Sequence, residues 1–149
     1  MRYVHPKTVE EQDIQCLHRI RKRLVDNKTA LTNQMRGLLI KYGIPVRKGT
    51  KVLISELPFI LENSENELTS TIRELLEGLG IELSNLITQI SSYDKKLENI
   101  CKENEICQRL LAIPGVGPVT STAILSAVGK AGQFKNARSF AAWLGLTPK

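Results

Sequence analysis

An apolar stripe between residues 72 and 100 constrains the fold more than any other feature of this sequence. Its members recur at steps that alternate between four and three residues: Ile72, Leu76, Leu79, Leu83, Leu86, Ile90, Tyr93, Leu97 and Ile100. This spacing places one apolar seam along a single long helix and is typical of coiled coils and helix hairpins. The stripe therefore predicts a long helix whose apolar face is buried against a partner.

A second long helix is predicted between Thr8 and Tyr42. Thr8 and Glu11 have the spacing of a capping box, which marks a helix start. Leucines then recur every seven residues until Gly43 and Pro45 end the pattern. At 1.5 Å per residue this helix is expected to be about 50 Å long.

The segment between these helices, at about residues 44 to 63, is predicted to be a basic loop with one or two short helices. Ser64 and Glu67 repeat the capping-box spacing and predict that the second long helix begins there. The two long helices can pair as an antiparallel hairpin within one chain or with a second copy. The residues leave both arrangements open, although the apolar outer surface of so thin a hairpin favours a homo-oligomer.

Charge is distributed unevenly along the 149 residues, whose net charge is +6. Residues 1 to 51 carry +8, residues 52 to 107 carry −7, and residues 108 to 149 carry +5 without one carboxylate. Concentrated positive charge favours a polyanionic partner, although the basic and acidic helices can also pair with each other.

Several classes of protein are excluded by composition. The three cysteines form no C-x-x-C pair, so neither a disulfide framework nor a thiolate zinc site is predicted. No apolar run approaches the roughly 20 residues that span a bilayer. We therefore expect a cytoplasmic protein without a membrane segment.

The segment from Arg109 to Leu125 predicts two short helices joined by a tight turn. Pro114 ends the first helix, glycines at 115 and 117 permit the turn, and Pro118 suits the first position of the next helix. Amide groups of Val116, Gly117 and the following helix start are expected to point outward, where a phosphate oxygen can meet the positive end of the helix. The alternative is a plain structural turn between packed helices.

The turn and the cations around it form the predicted nucleic-acid site. Its members are Gly115, Val116, Gly117, Thr120, Arg109, Lys130, Lys135 and Arg138. Contacts of this kind hold a phosphate backbone and read no base sequence.

The Gly-Val-Gly turn resembles the helix-hairpin-helix motif of DNA repair and recombination proteins, in which the hairpin binds backbone phosphate. Ser121 stands where many such motifs have a small residue for helix packing. The predicted fold is therefore all-α, a long helical hairpin or coiled coil followed by a small helix-hairpin-helix domain. The predicted domains are residues 1–107, with the helical insertion, and residues 108–149.

Two longer segments carry a wider resemblance. The first is the run LAIPGVGPVTSTAILSAVG with FKNARSFAAWLGLTP, and the second runs from RYV through EEQDIQCLHRIRKRLV to NQMRGLLIKYGI. Both resemble insertion-sequence transposases of the DEDD class, relatives of the Piv DNA invertase. The resemblance implies a role in DNA transposition, with DNA and a structured guide RNA as partners.

The same resemblance implies catalytic parts that this sequence does not supply. Family members begin with a RuvC-like nuclease domain bearing four metal-binding acidic residues, and a serine nucleophile follows the LGLTP segment. We accordingly assign no catalytic residue and no metal ligand here, expect Mg²⁺ to serve only the full-length family, and expect this chain to be inactive alone. The function predicted is nucleic-acid binding and oligomerisation within a transposase. The alternative is a coiled-coil module that assembles transposase subunits without contacting nucleic acid.

Overall fold

The computed structural model describes residues 7–129 and 134–143, which form six helices and no strand. The helices are α1 (Val9–Lys41), α2 (Thr50–Glu62), α3 (Ser70–Glu103), α4 (Glu105–Leu111), α5 (Pro118–Val128) and α6 (Ala137–Trp143). The all-α prediction is confirmed. The chain divides into two compact units, a central unit of residues 18–96 and a terminal unit of residues 1–17 with 97–149.

Both ends of α1 follow from local sequence. The capping box is present as predicted, since the Thr8 amide donates to the Glu11 carboxylate at 3.0 Å and the Glu11 amide donates to the Thr8 hydroxyl at 3.2 Å. At the other end Gly43 adopts a positive φ of 72°, and the Ile44 amide closes the last turn on the Leu39 carbonyl at 3.0 Å. This geometry ends the helix because an L side chain rarely adopts that backbone conformation.

The start of α3 differs from the prediction at Ser64 and Glu67. The helix begins at Ser70, and the Thr69 hydroxyl accepts a hydrogen bond from the Ile72 amide at 3.3 Å. Before it, asparagine side chains turn the backbone, because Asn63 Oδ1 accepts from the Glu65 amide at 2.8 Å and Asn66 Oδ1 from the Leu68 amide at 3.2 Å. Local side-chain hydrogen bonds of this type compete with helix formation, so the helix begins further along the chain than predicted.

The central unit buries the predicted stripe within one chain. Its core combines residues of α1, α2, α3 and the segment that precedes α3: Leu24, Leu31, Met35, Leu39, Leu53, Leu57, Leu68, Leu76, Leu83, Leu86 and Ile90. Met35, Leu39, Leu53, Leu76 and Leu83 have no exposed surface at all. Because α1 and α2 already cover this part of the seam, a second copy of the chain would need another surface for association.

Few of the opposite charges on the helices of the central unit pair with each other. Arg21 bonds to Asp94, and Lys22 lies 2.6 Å from Asp26 within α1. Burial, with the charge of Arg21 second, lowers the pKa of His18 from its ordinary 6.5, so His18 adds no charge near neutral pH. Pairing of the basic and acidic helices thus leaves most cations of α1 without a carboxylate partner among the described residues.

The terminal unit has a separate small core. Ile14 of α1, Cys101 of α3, Cys107 of α4 and Leu125 of α5 are buried together. Asn104 separates α3 from α4 because its side chain accepts hydrogen bonds from the amides of Ile106 and Cys107 and starts a new helix. The domain division predicted between residues 107 and 108 stays a prediction.

The buried thiols should be inert while the protein is folded. Burial, with the neighbouring Cys101 second, raises the pKa of Cys107 to about 12 from an ordinary value of 9.0. Because the thiolate is the reactive form and two of the three cysteines are buried, we expect iodoacetamide at pH 8 to alkylate exposed Cys16 rapidly and Cys101 and Cys107 only after unfolding. Mass spectrometry of the alkylated peptides tests this expectation, and equal labelling of all three cysteines would contradict it.

The raised pKa of Cys107 also predicts that the stability of the fold is lost as pH rises from about 9 towards 12.

Candidate nucleic-acid interface

The predicted turn between two short helices is present. The helix α4 is followed by Ala112, and Gly115 takes the positive φ of 85° that reverses the chain. Gly117 is extended and precedes Pro118, the first residue of α5. Proline is suited to this position because its fixed φ is helical and the first amides of a helix have no partner within the helix.

The amides at the turn are only partly available. The Val116 amide donates to the Ile113 carbonyl at 3.1 Å, so it stabilises the turn and the prediction that it points outward is wrong. The first amide bonded within the next helix is that of Ser121, which donates to the Gly117 carbonyl at 2.9 Å. The amides of Gly117, Val119 and Thr120 donate no hydrogen bond within the part of the chain that the structure describes. These three amides lie at the positive end of the α5 dipole.

Gly117 is not required by packing or by backbone geometry. Its φ of −99° is ordinary for any residue, and a Cβ built on it would have no heavy atom within 4 Å. Gly115 differs, because its positive φ strains any L side chain although the space around it is open. A side chain at 117 would therefore project into open space beside the free amides.

The helices α4 and α5 pack against each other and hold the turn that joins them. Ser121 and Thr122 have no exposed surface, and the Thr122 hydroxyl donates to the Pro118 carbonyl at 2.8 Å. The Ser121 hydroxyl is buried without a hydrogen-bond partner among the described atoms. Ser121 thus occupies the small, helix-packing position that the resemblance implied.

The predicted cations lie on several elements. Arg109 is exposed in the last turn of α4, with a Glu105 carboxylate 4.0 Å away. Lys135 and Arg138 are exposed before and within the first turn of α6. Lys130 lies outside the described residues. The helix α6 begins where expected, because the Asn136 side chain accepts from the Ser139 amide at 2.9 Å.

Sequence reasoning missed a carboxylate that lies near the basic C-terminal block. A Cβ built on Gly129, at the end of α5, would lie 2.8 Å from Oε1 of Glu11. In the same region Gln15 donates to the Ser126 carbonyl at 3.0 Å. The first turns of α1 therefore pack against the end of α5, and the block without carboxylates in sequence has one beside it in space. No pattern of spacing signals a contact between residues more than a hundred positions apart.

Ligands for a metal are not brought together in the part of the chain that the structure describes. Among the described residues no group of three or more His, Cys, Asp or Glu could hold a metal ion. Within the same ranges no helix is both long enough and apolar enough to cross a bilayer.

Known transposases are similar to this chain along its whole length. Residues 107–149 match the sequence profile of a family described as Transposase IS116/IS110/IS902 family. The full chain is 43% identical to the transposase for insertion sequence element IS1111A of Coxiella burnetii, over 41% of that protein. It is 39% identical to a probable family 20 transposase of Pseudomonas aeruginosa and 34% identical to the transposase for insertion sequence element IS1328 of Yersinia enterocolitica, over 44% of each.

The chain spans less than half the length of these curated relatives. No solved structure is significantly similar to it. The matches cover every residue of the chain, including the long helices that the family profile leaves out. Residues 107–149 are therefore similar to the IS116/IS110/IS902 family of transposases, and the chain as a whole is similar to a segment of such transposases.

Proposed function

We propose that this chain is a nucleic-acid-binding part of a transposase and acts in DNA transposition, with backbone phosphate held at the Gly115–Val116–Gly117 turn. The observation that carries the proposal is the set of unpartnered amides at Gly117, Val119 and Thr120, beside a glycine that neither packing nor backbone geometry requires. An open amide group at a helix start is suited to a phosphate oxygen. Exposed Arg109, Lys135 and Arg138 add positive charge to the same unit.

The alternative is a module that only assembles subunits through the stripe of α3. In the central unit that stripe is covered by α1 and α2 of the same chain, which favours the nucleic-acid proposal. Membership in the DEDD class, a structured guide RNA as a partner and a cytoplasmic location are further parts of this proposal. We assign no catalytic step through Mg²⁺ to this chain and expect that ion to serve the full-length family.

The test is a Gly117→Leu substitution measured by fluorescence anisotropy on an arbitrary DNA duplex. We expect binding to weaken by about tenfold or more, because a hydrogen bond to a charged group is worth roughly 1.5–3 kcal/mol and the new side chain would block the amides. Gly78→Leu is the matched control, since a Cβ there also has no atom within 4 Å. Unchanged binding by a folded Gly117→Leu protein would reduce the turn to a structural role.

Salt dependence provides a second readout. Affinity for duplex DNA is expected to fall by roughly 0.9 log units per phosphate contact for each log unit of salt. The Lys135→Glu and Arg138→Glu substitutions should flatten this slope by about one unit each if both residues contact phosphate. A slope near zero for the wild-type protein would support the assembly module instead.

A further inference from the structure

We propose that the loop between α1 and α2, together with Phe59 of α2, forms a second nucleic-acid contact that binds an unpaired strand. We call this the loop surface, defined by Lys41, Arg47, Lys48, Lys51 and Phe59. It belongs to the central unit, whereas the Gly-Val-Gly turn belongs to the terminal unit. The inference rests on the proposed nucleic-acid role of the chain, but it does not depend on phosphate binding at the turn.

Unpaired positive charge is the first observation. Residues 27 to 55 contain six Lys or Arg and no Asp or Glu. None of these six forms an ion pair with the described residues, although α3 carries many carboxylates. Lys41, Arg47, Lys48 and Lys51 are exposed. A concentration of cations without carboxylate partners attracts a polyanion.

The loop holds these cations in a defined backbone conformation. Arg36 of α1 donates from Nη2 to the carbonyls of Arg47 and Gly49, each at 2.9 Å. Gly49 has a φ of 120° and precedes the first residue of α2. The Arg36 side chain therefore holds the loop backbone, whereas the side chains of Arg47 and Lys48 are exposed and their charges are available to a ligand.

An exposed aromatic ring lies against the same loop. Phe59 is 73% exposed, and with Ile44 and Pro45 of the loop it lines a surface depression of about 350 Å³. Asn63 also lines the depression, and its side-chain amide nitrogen donates no hydrogen bond within the described residues. The depression thus combines an apolar ring face with one free donor, and Glu56 is the one acidic residue in its lining.

These features together favour an unpaired strand over a duplex. In a duplex the faces of the bases are stacked on each other and cannot reach a protein ring. In an unpaired strand a base can stack on Phe59 while other phosphates along the strand meet Arg47 and Lys48, which follow Pro45 by two and three residues in the same loop. The free donor of Asn63 can then bond to the edge of that base. The shared chemistry fits unpaired DNA and an unpaired RNA loop alike, so both are probed.

Anisotropy measurements with the full chain on a labelled oligo-dT strand, an oligo-U strand and a duplex of equal length test the proposal. Phe59→Ala should weaken binding to both single strands by roughly 5- to 100-fold, the effect of removing one stacking aromatic, and should leave duplex binding nearly unchanged. Ile81→Ala is the control, because Ile81 is also exposed, at 60%, but lies on α3. A larger loss for oligo-U than for oligo-dT would assign the natural strand to RNA, and the reverse to DNA.

The charge contribution is tested with Arg47→Gln combined with Lys48→Gln. We expect single-strand binding to weaken and its salt slope to fall by about 0.7 per lost phosphate contact. Lys95→Gln with Lys102→Gln removes the same charge from exposed positions of α3 and should change little. Affinities within about twofold of the control pair, with the protein folded, would overturn the proposal.

Photo-crosslinking locates the contact directly. A single strand carrying 5-iodouracil should crosslink to Phe59, which lies in the tryptic peptide of residues 52–73 between Lys51 and Arg73. Crosslinks confined to other peptides would refute the loop surface. If Gly117→Leu weakens duplex binding while the loop variants behave as wild type, only the loop-surface inference fails. If the loop variants lose single-strand binding while Gly117→Leu binds duplex DNA as wild type does, only phosphate binding at the Gly-Val-Gly turn is refuted.

Discussion

Replacing Leu83 with aspartate is expected to abolish the fold of the central unit. Leu83 has no exposed surface and lies in the core that joins α1, α2 and α3. Truncating a buried leucine costs about 2–5 kcal/mol, and a buried carboxylate without a partner adds to that cost. The total approaches the stability of a typical domain, which is about 5–15 kcal/mol. Circular dichroism during thermal and urea unfolding measures the effect.

Ile81→Asp is the control for this change. Ile81 lies two residues earlier on the same helix and is 60% exposed, so the same charge is expected to remain solvated and the fold intact. Sedimentation of both variants separates two uses of the stripe. If Leu83→Asp stays cooperatively folded and only its mass falls, the stripe joins two chains, as the sequence-based expectation of a homo-oligomer would have it.

Replacing Arg73 with alanine is expected to destabilise the central unit by about 3 kcal/mol or more. Its guanidinium donates to the carbonyls of Ile60, Leu61 and Asn63 at the end of α2, and also to the Leu68 carbonyl and the Asn66 side chain. The last carbonyls of a helix have no partner within the helix. Hydrogen bonds from a charged donor to such groups are worth roughly 1.5–3 kcal/mol each, although they are not additive.

Two further substitutions identify the reason for that loss. Arg73→Lys keeps the charge but cannot reproduce a planar fork of donors, so it should recover only a small part of the stability. Arg23→Ala removes an exposed arginine of α1 and should change the free energy of unfolding by less than about 0.5 kcal/mol. Urea unfolding of the three variants gives the comparison, and wild-type stability in Arg73→Lys would mean that charge alone matters.

Arg73 also illustrates what sequence reasoning misses. A cation in the first turn of a helix opposes the helix dipole, so the residue looks unfavourable when α3 is considered alone. The structure explains why an arginine stands at this position. Its guanidinium donates hydrogen bonds to carbonyls at the end of α2, and those carbonyls carry a negative partial charge. Because the sequence predicted a helix start at Ser64, this inconsistency appears only with the observed start at Ser70.

The candidate site at the Gly-Val-Gly turn was predictable only in part from the sequence. Two glycines and two prolines were sufficient to predict the turn between α4 and α5, since each limits the backbone of its own position. Which amides remain available was not predictable, and the bond from Val116 to Ile113 removed one of them. The exposed ring of Phe59 and its depression had no sequence signal, because the apolar residues of α2 are similar in type whether buried or exposed.

The sequence by itself determined the features that depend on residues close together in the chain. The capping box of Thr8 and Glu11, the positive φ of Gly43 and the buried periodicity of Leu76, Leu83 and Leu97 all followed from local chemistry. Only the tertiary structure decided what covers each face. Periodicity records that a helix face is apolar, but burial of apolar area is non-directional, so it does not specify whether the covering surface comes from α1, α2 or a second chain.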